Sequence, residues 1–229
     1  MKTIKAIGTV LALVAGMAIA QANQEKQADH QDHKGEKMAA EKGGDAKVIA
    51  NQLPSYPLAT CPVSGEALAG MEDAQNVVVD GHLVRVCCKS CVRKVEADPK
   101  KYIGLVEAAV IKEQTPGYPM TTCPLTGEEL GSMGEPIQLV HGTRLVQLCC
   151  KGCVKGFMKN PAKTMEKLDA ALIAKQLKTY KLKTCVVSGE ELEAGKAVDF
   201  LYGTKLVRVC CKSCVKAVKK DPAKHLAKL

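Results

Sequence analysis

Cys87-Cys88-Lys89-Ser90-Cys91 recurs almost letter for letter as Cys149-Cys150-Lys151-Gly152-Cys153 and as Cys210-Cys211-Lys212-Ser213-Cys214. One further cysteine stands upstream of each copy: Cys61 in CPVSG, Cys123 in CPLTG and Cys185 in CVVSG. Together these positions account for all 12 cysteines, spaced C-x25-CC-x2-C twice and C-x24-CC-x2-C once. Cysteines confined to one motif at a fixed spacing act as a group. One on a turn with others a helical turn apart has the form of a thiolate metal site. Cys87 and Cys91 stand at i, i+4, and Cys88 and Cys91 at i, i+3, so either pair faces one ion if a helix starts there.

Working outward, Cys61 to Cys123 is 62 residues and Cys123 to Cys185 is 62 again, which makes the chain a tandem repeat. The surrounding text repeats too: Tyr56-Pro57, Tyr118-Pro119 and Tyr180-Lys181 before the cysteine, Asp98-Pro99, Asn160-Pro161 and Asp221-Pro222 after it. Each module reads as a turn at the first cysteine, with Gly65, Gly127 or Gly189 supplying a permissive backbone. A β-hairpin follows. Its turns are placed at Asp80-Gly81, His141-Gly142 and Tyr202-Gly203. In the second strand Val84/Val86, Val146/Leu148 and Val207/Val209 alternate with Arg85, Gln147 and Arg208, so one face is expected to be buried and the other wet. A helix then begins at the cysteines, and a second at the Asp-Pro or Asn-Pro pair, with the first residue as cap and proline at the first helical position. The expected fold class is α+β: three small modules at 46–107, 108–170 and 171–229, joined by helices shared between neighbours.

The segment before the repeats has a different character. Residues 1–22 read as a signal peptide: a basic start with Lys2 and Lys5, an apolar run over 6–20, and small residues at Ala20 and Ala22 for cleavage. The run is shorter than the ~20 residues of a membrane-spanning helix, so no transmembrane segment is expected in the mature chain. Residues 23–45 are polar and charged and read as a disordered linker, in which His30 and His33 could hold a metal loosely. The expected location is periplasmic or secreted.

Size then dictates what the cysteines do. A module of about 60 residues is near the lower limit for an independent core, and the chain has no Trp, 5 Tyr and 2 Phe. Such a module needs a staple, either metal or disulfides. Export favours disulfides. Against them, two bridges would have to use adjacent cysteines separately or join neighbours under strain. The crowding of three cysteines at a helix start beside Lys89, Lys151 or Lys212 favours thiolates.

The pattern C-P-x-[ST]-G, hairpin, CC-x2-C, D-P and helix resembles the YHS/TRASH-like heavy-metal-binding domains, whose framework is a cysteine, a gap of roughly twenty residues and C-x3-C. Cys61, Cys87 and Cys91 match it, as do Cys123, Cys149 and Cys153, and Cys185, Cys210 and Cys214. Cys88, Cys150 and Cys211 are additional. Many members carry a cysteine where this chain has Ser64, Thr126 and Ser188. The resemblance implies metal binding by each module.

The leading expectation is an exported protein that sequesters, buffers or carries a thiophilic ion, Zn or Cu, one per repeat. Its ligands are Cys61, Cys87 and Cys91 and their counterparts, with Cys88, Cys150 and Cys211 as fourth ligands or small hydrophobes. Lys89, Arg93 and Lys94 would offset the thiolate charge. Methionines such as Met71, Met120 and Met133 could assist copper, though their ordinary use is as filler. The alternatives are a thiol-disulfide protein using the CxxC pairs and a disulfide-stapled interaction array. No nucleophile-base pair or phosphate loop points to an enzyme. The formal charge of +9 falls to +7 without the two leader lysines. Export and the scarcity of stacking aromatics argue against nucleic acid as partner, leaving metal ions and an exported metal-handling protein.

Overall fold

In the computed structural model, residues 44–193 and 195–229 are described, so the expected leader, most of the linker and the His30/His33 pair lie outside the described residues. The chain divides into two units, 1–47 and 48–229, and all three modules belong to the second. Helix α1, described over 44–52, leads into a 3-10 turn at Leu53–Ser55. The first module contains strands β1 (Gln75–Val79) and β2 (His82–Val86), then helices α2 (Lys89–Ala97) and α3 (Pro99–Gln114). The second contains β3 (Ile137–His141), β4 (Arg144–Leu148), α4 (Lys151–Lys159) and α5 (Pro161–Leu177). The third contains β5 (Val198–Tyr202), β6 (Lys205–Val209), α6 (Lys212–Lys220) and α7 (Pro222–Leu226). Each strand pair is a separate antiparallel sheet, so the fold is the expected α+β array of three modules. Among the described residues, no helix is long and apolar enough to cross a membrane.

Local chemistry accounts for these elements. In the first hairpin Asp80 (φ 50°) and Gly81 (φ 75°) are both left-handed, the arrangement a two-residue type I′ turn requires. The other two turns sit one residue later than the sequence suggests. His141 pairs with Arg144 and Tyr202 with Lys205, so the turn pairs are Gly142-Thr143 and Gly203-Thr204. In both, only the leading glycine has positive φ (64°), and the glycine-first turn carries the twist that Asp-Gly supplies in the first module. The Asp98, Asn160 and Asp221 side chains accept hydrogen bonds from the backbone N–H of Lys101, Lys163 and Lys224, each ahead of a proline at the helix start.

On its inner face each hairpin packs against its own cysteines. Val84 and Val86 pack with Cys61, Cys87, Cys91, Val95, Tyr102 and Val106. Val146, Leu148, Phe157 and Leu168 surround the second cluster, and Val207, Val209 and Val218 the third. The opposite face is not wet as the alternation suggests. Leu83, Leu145 and Leu206 lie on it and are 0%, 1% and 3% exposed, and Gln147 is buried as well.

That face is covered because the helix before each module ends on its hairpin. Gln52 Oε1 accepts from Leu83 N–H at 2.8 Å while its Nε2 donates to Gly81 O at 2.8 Å. Gln114 makes the same pair with Leu145 (2.9 Å) and Thr143 (2.9 Å), and Gln176 with Leu206 (2.7 Å) and Thr204 (2.7 Å). Helix α3 therefore starts in the first core, through Tyr102 and Val106, and ends clamped to β4. The expected boundaries 107/108 and 170/171 fall inside α3 and α5.

The hairpin tips also meet. Thr143 Oγ1 donates to Gln52 O at 2.9 Å and lies 2.7 Å from Ser55 Oγ. Arg144 bridges Asp169 (2.8 Å) and Gly203 O (3.3 Å). A Cβ on Gly203 would fall 2.5 Å from Pro54 O, so backbone meets backbone there. The tips of the second and third modules thus both reach the 3-10 turn that precedes the first, and the array closes on itself.

Candidate metal centres

The first cysteine of each module sits in a tight turn. Gly65 N–H donates to Cys61 O at 2.8 Å, and Cys61 N–H to Glu66 O at 2.7 Å. Gly65 closes the turn with φ 81°, a conformation costly for any side chain. Burial raises the Cys61 thiol, but the Ser64 hydroxyl and the backbone N–H groups of Cys87, Ser64 and Val63 aim at the sulfur and outweigh it, lowering the pKa to about 6. The same balance, burial opposed by converging donors, brings Cys123 and Cys185 to about 6. A sulfur ringed by N–H donors is a ready anion site and a ready metal ligand.

The other cysteines come from the strand end and the helix start. Cys87 follows β2, Cys88 is the extended cap residue of α2, and Cys91 lies in its first turn. The sulfurs of Cys61, Cys87 and Cys91 all lie within 4.8 Å of one another, as do those of Cys123, Cys149 and Cys153, and of Cys185, Cys210 and Cys214. Cys87 and Cys91 are 3.6 Å apart, and Cys88 is 3.7 Å from each. In the third module the corresponding spacings are 3.7, 3.7 and 3.5 Å. In the second, Cys153 lies 3.6 Å from Cys149 and 3.7 Å from Cys150. A tetrahedral zinc with Zn–S near 2.3 Å has sulfur-sulfur edges of about 3.8 Å, so these triangles have the size of one tetrahedral face. All twelve cysteines are free thiols.

The sulfurs differ in charge and exposure. Ser64 favours the Cys87 thiolate, but the Glu66 carboxylate, burial and the neighbouring thiols outweigh it and push Cys87 up to about 12. Burial, with the adjacent thiols, pushes Cys153 up to about 12 and raises Cys91 and Cys214. Cys88 and Cys211 are lowered to about 7, chiefly by the hydroxyls of Ser90 and Ser213 and then by the N–H groups of the helix start. Cys150, with glycine in place of that serine, is lowered by the Cys153 N–H first. Cys61, Cys87 and Cys91 are buried, Cys88 and Cys150 half-buried and Cys211 exposed. In the first two modules the cluster is thus a buried trio with a more exposed fourth thiol beside it; in the third, Cys185 and Cys214 are buried, Cys210 is half-buried and Cys211 exposed.

Of the four cysteines expected in each site, the fold brings three into one group and sets the fourth beside two of them in the first and third modules and beside Cys153 in the second. Among the described residues no histidine joins these groups: His141 stands edge-on to Phe157 at 5.4 Å, and His225 is buried with Nδ1 3.4 Å from Val186 O. One recurrent set, already noted in the sequence where the YHS/TRASH-like domains often carry cysteine, gains a role in the structure, and a second set escaped the sequence reading. The hydroxyls of Ser64, Thr126 and Ser188 lie 3.3, 3.6 and 3.5 Å from the sulfurs of Cys87, Cys149 and Cys210. Gln52, Gln114 and Gln176 stand 62 residues apart, nine before each first cysteine, and that register was the available signal. Met71 and Met133 also occupy one register and are 39% and 66% exposed. No protein-family model, curated protein or solved structure matches the chain.

Proposed function

We propose that this is an exported protein that holds one thiophilic ion, zinc or copper, in each module and serves to sequester, buffer or carry it. The observation that supports this reading is the convergence of three sulfurs from a turn, a strand end and a helix, built the same way three times. The turn sulfur is already biased toward thiolate. Cys87, Cys91, Cys153 and Cys214, all raised, keep their protons until a cation replaces them, which makes a largely buried cup for a soft ion rather than for calcium or magnesium. Four thiolates would close a zinc shell; three would suit Cu(I). The N-terminal sequence supports the exported setting.

Elemental analysis of the exported chain, purified without chelator, together with a thiol count after denaturation, tests this. About one zinc or copper per module, released with reduced thiols, is expected. Metal-free protein whose cysteines are recovered as disulfides would overturn it in favour of a stapled array.

A further inference from the structure

The three clusters share a feature that metal holding alone does not call for. In every module the extra thiol, Cys88, Cys150 or Cys211, is the most exposed of the four cysteines, and the helix it caps carries two exposed basic residues in its first two turns. These are Lys89 and Arg93, Lys151 and Lys155, and Lys212 and Lys216. Each pair is spaced i, i+4, where like charges repel, and sits at a helix N-terminus, where the backbone dipole disfavours a cation. None of the three helices has an acidic residue in its first turn. An arrangement unfavourable to the helix, present in three copies on the helices that the most exposed cysteines cap, fits a surface that receives negative charge. The cavities lined by Arg144, by Tyr202 and by Lys228 contain no cysteine, and the basic pairs stand exposed on their helices, where a charged macromolecular surface can reach them.

We infer that Cys88, Cys150 and Cys211 are exchange ligands, through which each module passes its ion to a thiol carried on an acidic protein surface that docks against the adjoining basic pair. This rests on the metal-binding reading above. In the exchange, a bond forms between the incoming sulfur and the ion as the bond from Cys88 breaks. The proton of the incoming thiol ends on Cys88, and no electrons are transferred. The other three cysteines hold the ion throughout the first step. Cys61 cannot be the first to leave in this scheme, because its sulfur is buried and ringed by donors.

The test uses the full chain loaded with zinc and two short dicysteine peptides of equal length, one rich in glutamate and one in lysine. Transfer is followed by the zinc content of the separated protein and peptide. The acidic peptide is expected to take zinc about tenfold faster at low salt. The difference should collapse between about 10 mM and about 1 M salt, as the screening length falls from about 30 Å to about 3 Å. Reversing the pairs, with Lys89→Glu, Arg93→Glu and their counterparts, should invert the preference while leaving every cysteine in place. Replacing Cys88, Cys150 and Cys211 together by serine should keep one zinc per module and speed its transfer, since no protein ligand then has to leave. Equal rates for the two peptides at every salt, or loss of zinc from the triple serine variant while the charge-reversed one retains it, would overturn the inference. Wild-type protein that takes up no zinc or copper would instead sink the metal-binding reading itself, before any transfer is measured.

Discussion

At the first cysteine of each module, the residue scale decides the chemistry. Cys61 has its pKa lowered to about 6 although burial opposes ionisation. The sign for the reduced, metal-free protein follows from that direction: the stability this group contributes is fully present above its unfolded pKa, near 8.5, and is lost as pH falls through about 6. Thiolate ultraviolet absorbance should therefore appear first between pH 6 and 7, from the turn cysteines and from Cys88 and Cys211, while Cys87 and Cys153 ionise only toward 12. Ser64→Ala should move the earliest step upward in the first module alone; an unchanged titration would show that the hydroxyl is not among the donors. Because the turn sulfur of each cluster, joined in the first and third modules by Cys88 and Cys211, is already ionised near pH 8, zinc uptake there should release fewer than four protons per ion, measurable in a weakly buffered solution. Gly65 was legible in the sequence as a turn residue, and its φ of 81° gives the reason. Gly65→Ala should destabilise the first module by about 1–2 kcal/mol in denaturant unfolding, an effect a surface glycine in ordinary backbone would not show.

Between elements, the glutamine clamps explain how strands so short are held. An isolated two-stranded hairpin is marginal in water, and here the outer edge of each second strand is tied by the glutamine ending the previous helix. Gln114→Ala would leave the buried Leu145 N–H and the Thr143 carbonyl without that partner. A loss of about 1–3 kcal/mol is expected, read as faster amide exchange at Leu145. Unaltered exchange there would mean that the clamp follows from the packing and does not hold it. The sequence showed the hairpins, the cysteine-bearing helices and the Asp-Pro starts, because each is written in local signals: alternation, turn residues and caps. It did not show that the second sheet face is covered. Leu83, Leu145 and Leu206 belong to the same apolar runs as Val84, Val146 and Val207, and alternation cannot separate a wet face from one buried by a neighbouring helix. A glutamine at a helix end likewise reads as surface until its distant partner is known, and here the partner is about 30 residues away.

For the whole molecule, the question is whether the modules behave as beads or as one body. Beads would each gain stability from their own ion. One body would share the gain, since helices α3 and α5 each start in one core and pack on the hairpin of the next module, and the hairpin tips meet at Leu53–Ser55. These contacts join Ser55 to Thr143 and Gln52 to Thr143, separations of 88 and 91 residues, which no local pattern in the sequence could announce. The point most exposed to a single change is Gly203, where a side-chain carbon would meet Pro54 O at 2.5 Å. Gly203→Ala carries two effects: strain in its own turn, where φ is 64°, and a clash with the turn preceding the first module. The first is confined to β5–β6; the second is not. If the closure holds the array together, Gly203→Ala should accelerate exchange of the Tyr56 amide, which donates to Leu53 O, as well as amides of its own hairpin. Gly142→Ala supplies the control. Its added carbon would be 3.2 Å from the Gln52 side chain, a looser approach to a side chain and not to backbone, so the 3-10 turn should be disturbed less. Exchange changes limited to β5–β6 in Gly203→Ala would establish beads, and stability on metal removal would then fall module by module. Changes reaching Tyr56 would make the closed body the unit that unfolds, so that stripping the ion from one centre weakens all three.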